Sequence, residues 1–154
     1  MFKVDTQEPP ARHFEDFPEG TTMPVVTKGP MTAGHQVRWA GACDNYASDF
    51  HHDSAAARAA GLPGLLLSGP FMACCMLTEI TRWLGNRARI VSFWDRNSGT
   101  TQPGDIAHIH ATVTAARLAD GQGLVEIDCR IVNQDGQVTT PGGLVAELPL
   151  RPQD

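Results

Sequence analysis

The chain has 154 residues, 42% hydrophobic and 19% charged, with 12 basic against 17 acidic side chains and a formal net charge of −5. That length suits one domain whose core needs neither disulfides nor metal, and the acidic balance leaves no electrostatic footprint for wrapping nucleic acid. Six Phe, three Trp and one Tyr, unaccompanied by Lys/Arg runs, are too few for a base-stacking platform. No apolar stretch approaches the ~20 residues needed to cross a bilayer, and the opening Met1-Phe2-Lys3-Val4-Asp5 turns acidic too early for a signal peptide. The expectation is a cytoplasmic protein with a single domain over residues 1–154, of which 1–20, carrying Pro9, Pro10 and Pro18, form a lead-in arm. Cys43, Cys74, Cys75 and Cys129 include no CxxC pair. They read as reduced, mostly buried thiols, with Cys43, near His51 in sequence, as the alternative nucleophile.

In chain order, residues 23–27 predict a short strand and 35–39 a second extended or mixed segment. A chemistry-rich stretch follows, from Trp39-Ala40-Gly41-Ala42-Cys43-Asp44-Asn45-Tyr46 to His51-His52-Asp53. Residues 54–60 predict an Ala-rich helix capped by Asp53 or Ser54 and stopped by Gly61. Ser68-Gly69-Pro70 opens the best-defined element, with Pro70 in the first turn, where its missing N–H costs nothing. That helix runs over 71–84 and ends at Gly85-Asn86. Met72, Met76, Ile80, Trp83 and Leu84 share one stripe, and only Thr78, Glu79, Thr81 and Arg82 read as solvated.

The period then switches from 3.6 to 2. Residues 89–94 predict a strand, and 106–115 alternate Ala107, Ile109, Ala111 and Val113 against His108, His110, Thr112 and Thr114. Residues 124–133 alternate Val125, Ile127, Cys129 and Ile131 against Glu126, Asp128 and Arg130, and 143–148 supply a last strand. Ala119-Asp120-Gly121 and Gln134-Asp135-Gly136 stand where antiparallel strands need turns. The economical packing is an α+β fold, an antiparallel sheet wrapped around one long buried helix.

That architecture is the hot-dog fold, and the residues resemble one branch of it. The stretch from Val37 through His51-His52-Asp53 to Ala57-Arg58-Ala59-Ala60-Gly61-Leu62-Pro63-Gly64 resembles the MaoC-like dehydratases and (R)-specific enoyl-CoA hydratases. Ser68-Gly69-Pro70-Phe71 falls where that family opens its central helix. Pro103-Gly104-Asp105 and Gly142-Gly143-Leu144-Val145-Ala146 also match, so the resemblance runs from about Phe14 to Leu150. The family motif reads Asp-x-Asn-Pro-x-His. Counted back from His51, its aspartate position holds Tyr46 and its asparagine position Ser48; counted forward from Trp39, the aspartate position falls on Asn45, beside Asp44. Two readings stay open: the loop is remodelled and Asp44 or Asp49 still meets His51, or the acid is lost and the site is altered or inert. The Asp-Phe-His-His-Asp run also resembles small subunits of steroid side-chain hydratases, which work beside a second hot-dog chain.

Adding water across an α,β-unsaturated thioester needs a base that activates water at the β-carbon, an acid that protonates the α-carbon, and donors for the enolate-like oxygen. A histidine oriented by a carboxylate suits the first two tasks, and the N-terminus of a buried helix suits the third. The resemblance implies His51 as base or water-binding residue and Asp44 as its partner, with Asp49 and Tyr46 as further candidates. It implies the Gly69 N–H as carbonyl polariser, Ser68 as an extra donor, and no cofactor. Arg82, Arg87, Arg89 and Arg96 offer contacts for the phosphates of coenzyme A or for an acyl-carrier protein, Arg96 being the substrate-binding candidate. The implied partners are an acyl thioester and a second hot-dog chain, identical or paralogous, because one such sheet leaves an open edge. The alternatives are a non-catalytic hot-dog subunit that binds an acyl ligand or stabilises a partner, and a hot-dog thioesterase. His108-x-His110 suggests metal on a cupin-like strand, but cupins are all-β and this chain carries a long apolar helix; no metal is assigned.

Overall fold

Strict alternation of apolar and polar residues over three consecutive segments gives each strand one face that must leave water. In the computed structural model, which describes residues 11–44, 49–119 and 121–152, these segments are β3 (Ala107–Ala119), β4 (Gln122–Asn133) and β5 (Val138–Leu148). Their inward residues Ile109, Val113, Val125, Ile127, Ile131 and Leu148 are at most 3% exposed. A short β1 (Val26–Lys28) and β2 (Arg89–Asp95) complete an antiparallel sheet in the order β1-β3-β4-β5-β2. Among the described residues strand β2 pairs with β5 alone, which leaves one of its edges open, and Val91 and Trp94 stand exposed on it.

Three helices precede the meander: α1 (Ala33–Cys43), α2 (Ser54–Ala59) and α3 (Gly69–Leu84). Helix α3 is the apolar cover of the sheet. Met72, Met76, Ile80 and Leu84 recur every four residues on one face and are 2% exposed or less, each contributing roughly 1.5–3 kcal/mol by leaving water. The same core takes in Phe17, whose ring meets Trp83 edge-on at 5.1 Å. The expected α+β hot-dog arrangement is therefore present; β3, β4 and β5 extend past a predicted end where hairpin pairing continues past the apolar alternation, and the first strand begins at Val26 rather than at residue 23.

Three expectations are corrected. Residues 35–39 are not extended but lie in α1, whose Gly34, Val37 and Gly41 lower helix propensity; Thr32 caps it by accepting the His35 N–H, and its inward residues Gln36 and Ala40 are buried. Glu79 is not solvated: it is 8% exposed, and its carboxylate takes Lys28 Nζ at 2.7 Å and Arg82 Nη1 at 3.0 Å, the pairing a buried charge requires. The thiols are not mostly buried, since Cys129 lies in the core but Cys43 and Cys74 are exposed.

Helix α2 shows how local chemistry sets an element. Asp53 Oδ1 accepts the Ala55 N–H at 2.7 Å and the Ala56 N–H at 3.2 Å, the N-cap predicted from sequence. The bonds from Ala56 and then Ala55 hold the Asp53 carboxyl below its ordinary pKa. A carboxyl depressed in the folded state contributes stability above its unfolded pKa of about 4 and loses that contribution as pH falls through the folded value. The melting-temperature gap between wild type and Asp53→Ala is therefore expected to be largest near neutral pH and to close on acidification below about pH 4, as read by circular dichroism.

Candidate functional site

The buried segment Leu65-Leu66-Leu67-Ser68 leads into α3 and ties the chemistry-bearing residues together. Backbone bonds pin it from two sides: the Leu66 N–H reaches Phe50 O at 3.1 Å and the Leu67 N–H reaches Thr101 O at 2.8 Å. His51, in the 3-10 turn Asp49–His51, places Nδ1 2.8 Å from Leu66 O. A carbonyl oxygen only accepts, so Nδ1 carries the proton and the neutral imidazole keeps its lone pair on Nε2. His51 is half-buried and its ring lies against that of Phe50 at 4.4 Å. The result is an imidazole with a fixed tautomer, held by the Leu66 carbonyl three residues before the start of α3.

That helix start is short of acceptors. Ser68 is the N-cap, yet its side chain makes no capping bond, and its Oγ is buried without a partner among the described residues. Among the described residues, Gly69 and Phe71 have no acceptor for their N–H groups, and Pro70 between them has no N–H to offer; the Met72 N–H is the first to be taken up, by Ser68 O at 3.2 Å. Two backbone donors and one hydroxyl thus stand at the positive end of a 16-residue helix, an arrangement that suits an oxyanion or a polarised carbonyl. The nearest lid is the Asn97 carboxamide. A Cβ on Gly69 would stand 1.9 Å from Asn97 Nδ2, so the side chain rests in the space that only glycine leaves free.

Gln36 and Asn97 were not picked out in sequence. Gln36 Oε1 accepts the Ser68 N–H at 2.8 Å in full burial; once residues 33–43 are known to be helical, a polar residue on the inward face beside Ala40 is the signal. Asn97 sits in an exposed loop after β2 and carries no comparable pattern. His35 and Trp39 of α1 flank Phe71 at ring distances of 6.5 and 5.8 Å.

The remaining candidates are placed as follows. Asp44 is the exposed left-handed C-cap of α1, at φ 50°. Asp49 is exposed and faces His52, with Oδ1 3.5 Å from Nε2. Among the described residues, no carboxylate is hydrogen-bonded to His51. Tyr46 lies outside the described residues. Arg96 is exposed, and its N–H bonds Pro141 O; Arg82 and Arg89 reach Glu79 and Glu147. His108 Nδ1 is 2.9 Å from Thr27 Oγ1, and no group of three or more His, Cys, Asp or Glu side chains gathers to hold a metal among the described residues. A depression of about 290 Å³ on the outer sheet face, at Trp94 and Gly143, and one of about 480 Å³ between the loops around Asp105 and Asn133 are not lined by His51, Ser68 or Gly69.

A sheet folded around one helix, with a tautomer-fixed histidine bonded to the segment that leads into that helix, is the hot-dog arrangement. The chain has the fold shared by the MaoC-like dehydratases and (R)-hydratases. It is similar to a MaoC-like dehydratase from Rhodospirillum rubrum (22% identity, TM-score 0.79, covering 93% of this chain and 100% of that one). It is also similar to the (R)-hydratase from A. caviae involved in PHA biosynthesis (18%, 0.76, 88% and 99%). A chain of the ChsH1-ChsH2 complex from Mycobacterium tuberculosis matches with 22% identity and a TM-score of 0.74, over 84% of this chain and 97% of that one. No family model matches the sequence, and no curated protein does. No helix among the described residues is long and apolar enough to cross a membrane.

The unpaired Ser68 hydroxyl makes a measurable distinction. Ser68→Ala deletes no hydrogen bond of the free chain and removes a buried polar atom. Its unfolding free energy in urea is expected to match wild type within about 0.5 kcal/mol, or to exceed it.

Proposed function

We propose that the chain is a hydratase-type hot-dog subunit that adds water reversibly across an enoyl thioester carried by coenzyme A or an acyl-carrier protein. The observation that carries this reading is the link from His51 through the Leu66 carbonyl to the unsatisfied start of α3. The thioester oxygen lies against the Gly69 N–H and the Ser68 hydroxyl, which draw charge out of the double bond. His51 Nε2 takes a proton from water as the oxygen bonds the β-carbon, and a proton is delivered to the α-carbon, so that one water is consumed. The donors gain strength as charge builds on the oxygen, which is what lowers the barrier rather than merely tightening binding.

The acid of the pair is assigned to Asp44, with Asp49 and Tyr46 as the other candidates on the same segment. The surface positions of Asp44 and Asp49, and the turn of Asp49 toward His52, favour a second reading. In it the chain binds the acyl group or supports a partner hydratase subunit, and the carboxylate comes from another hot-dog chain or is absent. Both readings call for a second chain, identical or paralogous, with the open edge of β2 as the point of sheet continuation. Arg96 is kept as a contact for the carrier's phosphates.

The test is hydration of trans-2-butenoyl-CoA, followed by loss of enoyl absorbance. His51→Ala is expected to lower kcat by roughly 10²–10⁴-fold, the usual worth of a positioned general base, while its far-ultraviolet circular dichroism stays that of wild type. Equal background rates in both proteins reject the catalytic reading and leave the binding subunit.

A further inference from the structure

In an ordinary helix start with serine at the N-cap, the hydroxyl accepts the N–H of the third helical residue, and a Glu or Gln at that third position reaches back to the N-cap N–H. Helix α3 satisfies neither half locally. Its third residue is Phe71, which cannot accept, and the Ser68 hydroxyl does not cap. The second half is nevertheless made, from 32 residues away, by Gln36 Oε1 on the Ser68 N–H at 2.8 Å. Gln36 is 1% exposed, and Ser68 likewise.

We infer that Gln36 is a positioning residue that completes half of the cap from α1 and thereby keeps the Ser68 hydroxyl and the Gly69 and Phe71 N–H groups together for a ligand oxygen. The physical argument is one of accounting for donors. A buried N–H must be bonded, and the Ser68 N–H is satisfied by a residue outside the helix. The extended N-cap (φ −71°, ψ 144°) is therefore held without spending Ser68 Oγ. The same helix clasps Phe71 through His35 and Trp39, so α1 fixes both the N-cap and the third helical residue. A buried hydroxyl without a partner, as at Ser68, carries a cost in the empty protein, and an acceptor on a bound molecule recovers it. The ligand class this selects is a thioester carbonyl or its enolate, and that part of the inference rests on the hydratase reading above.

The experiment compares wild type, Gln36→Leu, which keeps the volume and removes the acceptor, and Gln36→Glu, which restores an acceptor oxygen. Amide hydrogen exchange by NMR in the free protein reads the positioning directly. The Ser68 amide is expected to lose protection in Gln36→Leu and regain it in Gln36→Glu, while the Ile80 and Leu84 amides are unchanged in both. In turnover of trans-2-butenoyl-CoA, Gln36→Leu is expected to lose about tenfold or more in kcat with KM within about threefold, and Gln36→Glu to recover most of the loss. Unchanged Ser68 protection in Gln36→Leu overturns the inference, as does a wild-type kcat in that variant. Absence of turnover in wild type itself counts against the hydratase reading alone. The inference is then decided by butyryl-CoA, a saturated thioester: it should shift the Gly69 and Phe71 amides in wild type and not in Gln36→Leu, and equal shifts in both refute it.

Discussion

The sheet can fold only by covering its inner face, and α3 is what covers it. Met72, Met76, Ile80 and Leu84 lie in the same cluster as Ile109, Val113, Val125, Ile127, Ile131 and Leu148, all nearly inaccessible to water. Close packing leaves such a helix little freedom to slide or turn. Its first turn is therefore held in one place by a hydrophobic contact that runs from Met72 to Leu84, about 18 Å of helix at 1.5 Å per residue. Everything attributed to the site inherits its precision from that contact. The donors at Gly69 and Phe71 point where they do because the other end of the helix, at Leu84, is locked into the sheet.

Charge is handled by pairing at depth and by exposure elsewhere. Glu79 sits on the core helix but is held by Lys28 from β1 and by Arg82 one turn on, so the first strand and the central helix are joined by an ion pair as well as by packing. Asp44, Asp49 and Asp53 occupy the surface. Of these, Asp53 has a clear structural task at the start of α2. The acidic balance of the composition thus resides largely outside the apolar core, and the site at α3 depends on dipoles and neutral groups.

The strands and α3 were legible in sequence because their signal is periodicity, which burial enforces directly: Ala107 to Val113 and Val125 to Ile131 face inward as their alternation requires. The N-terminal extents of α2 and α3 were legible because Asp53, Gly69 and Pro70 act through their own backbones. Helix α1 was not, since its glycines and Val37 argue against a helix and only two of its residues, Gln36 and Ala40, are buried. Missing α1 meant missing Gln36. The Leu66 carbonyl that orients His51 belongs to the main chain, which side-chain identity does not report, and Asn97 reaches Gly69 through a loop path that no local pattern encodes. His51, Ser68 and Gly69 are candidates through motif resemblance alone, and the Leu65–Ser68 segment links the first to the other two.

The three tryptophans sample three different environments. Trp83 packs edge-on against Phe17 in the core, Trp39 lies beside Phe71 at the α3 start, and Trp94 is exposed over Gly143 on the open strand. Replacing two of them with phenylalanine in turn leaves a single tryptophan, so that the core, the helix start and the β2 edge each acquire an intrinsic fluorescence reporter without any added dye.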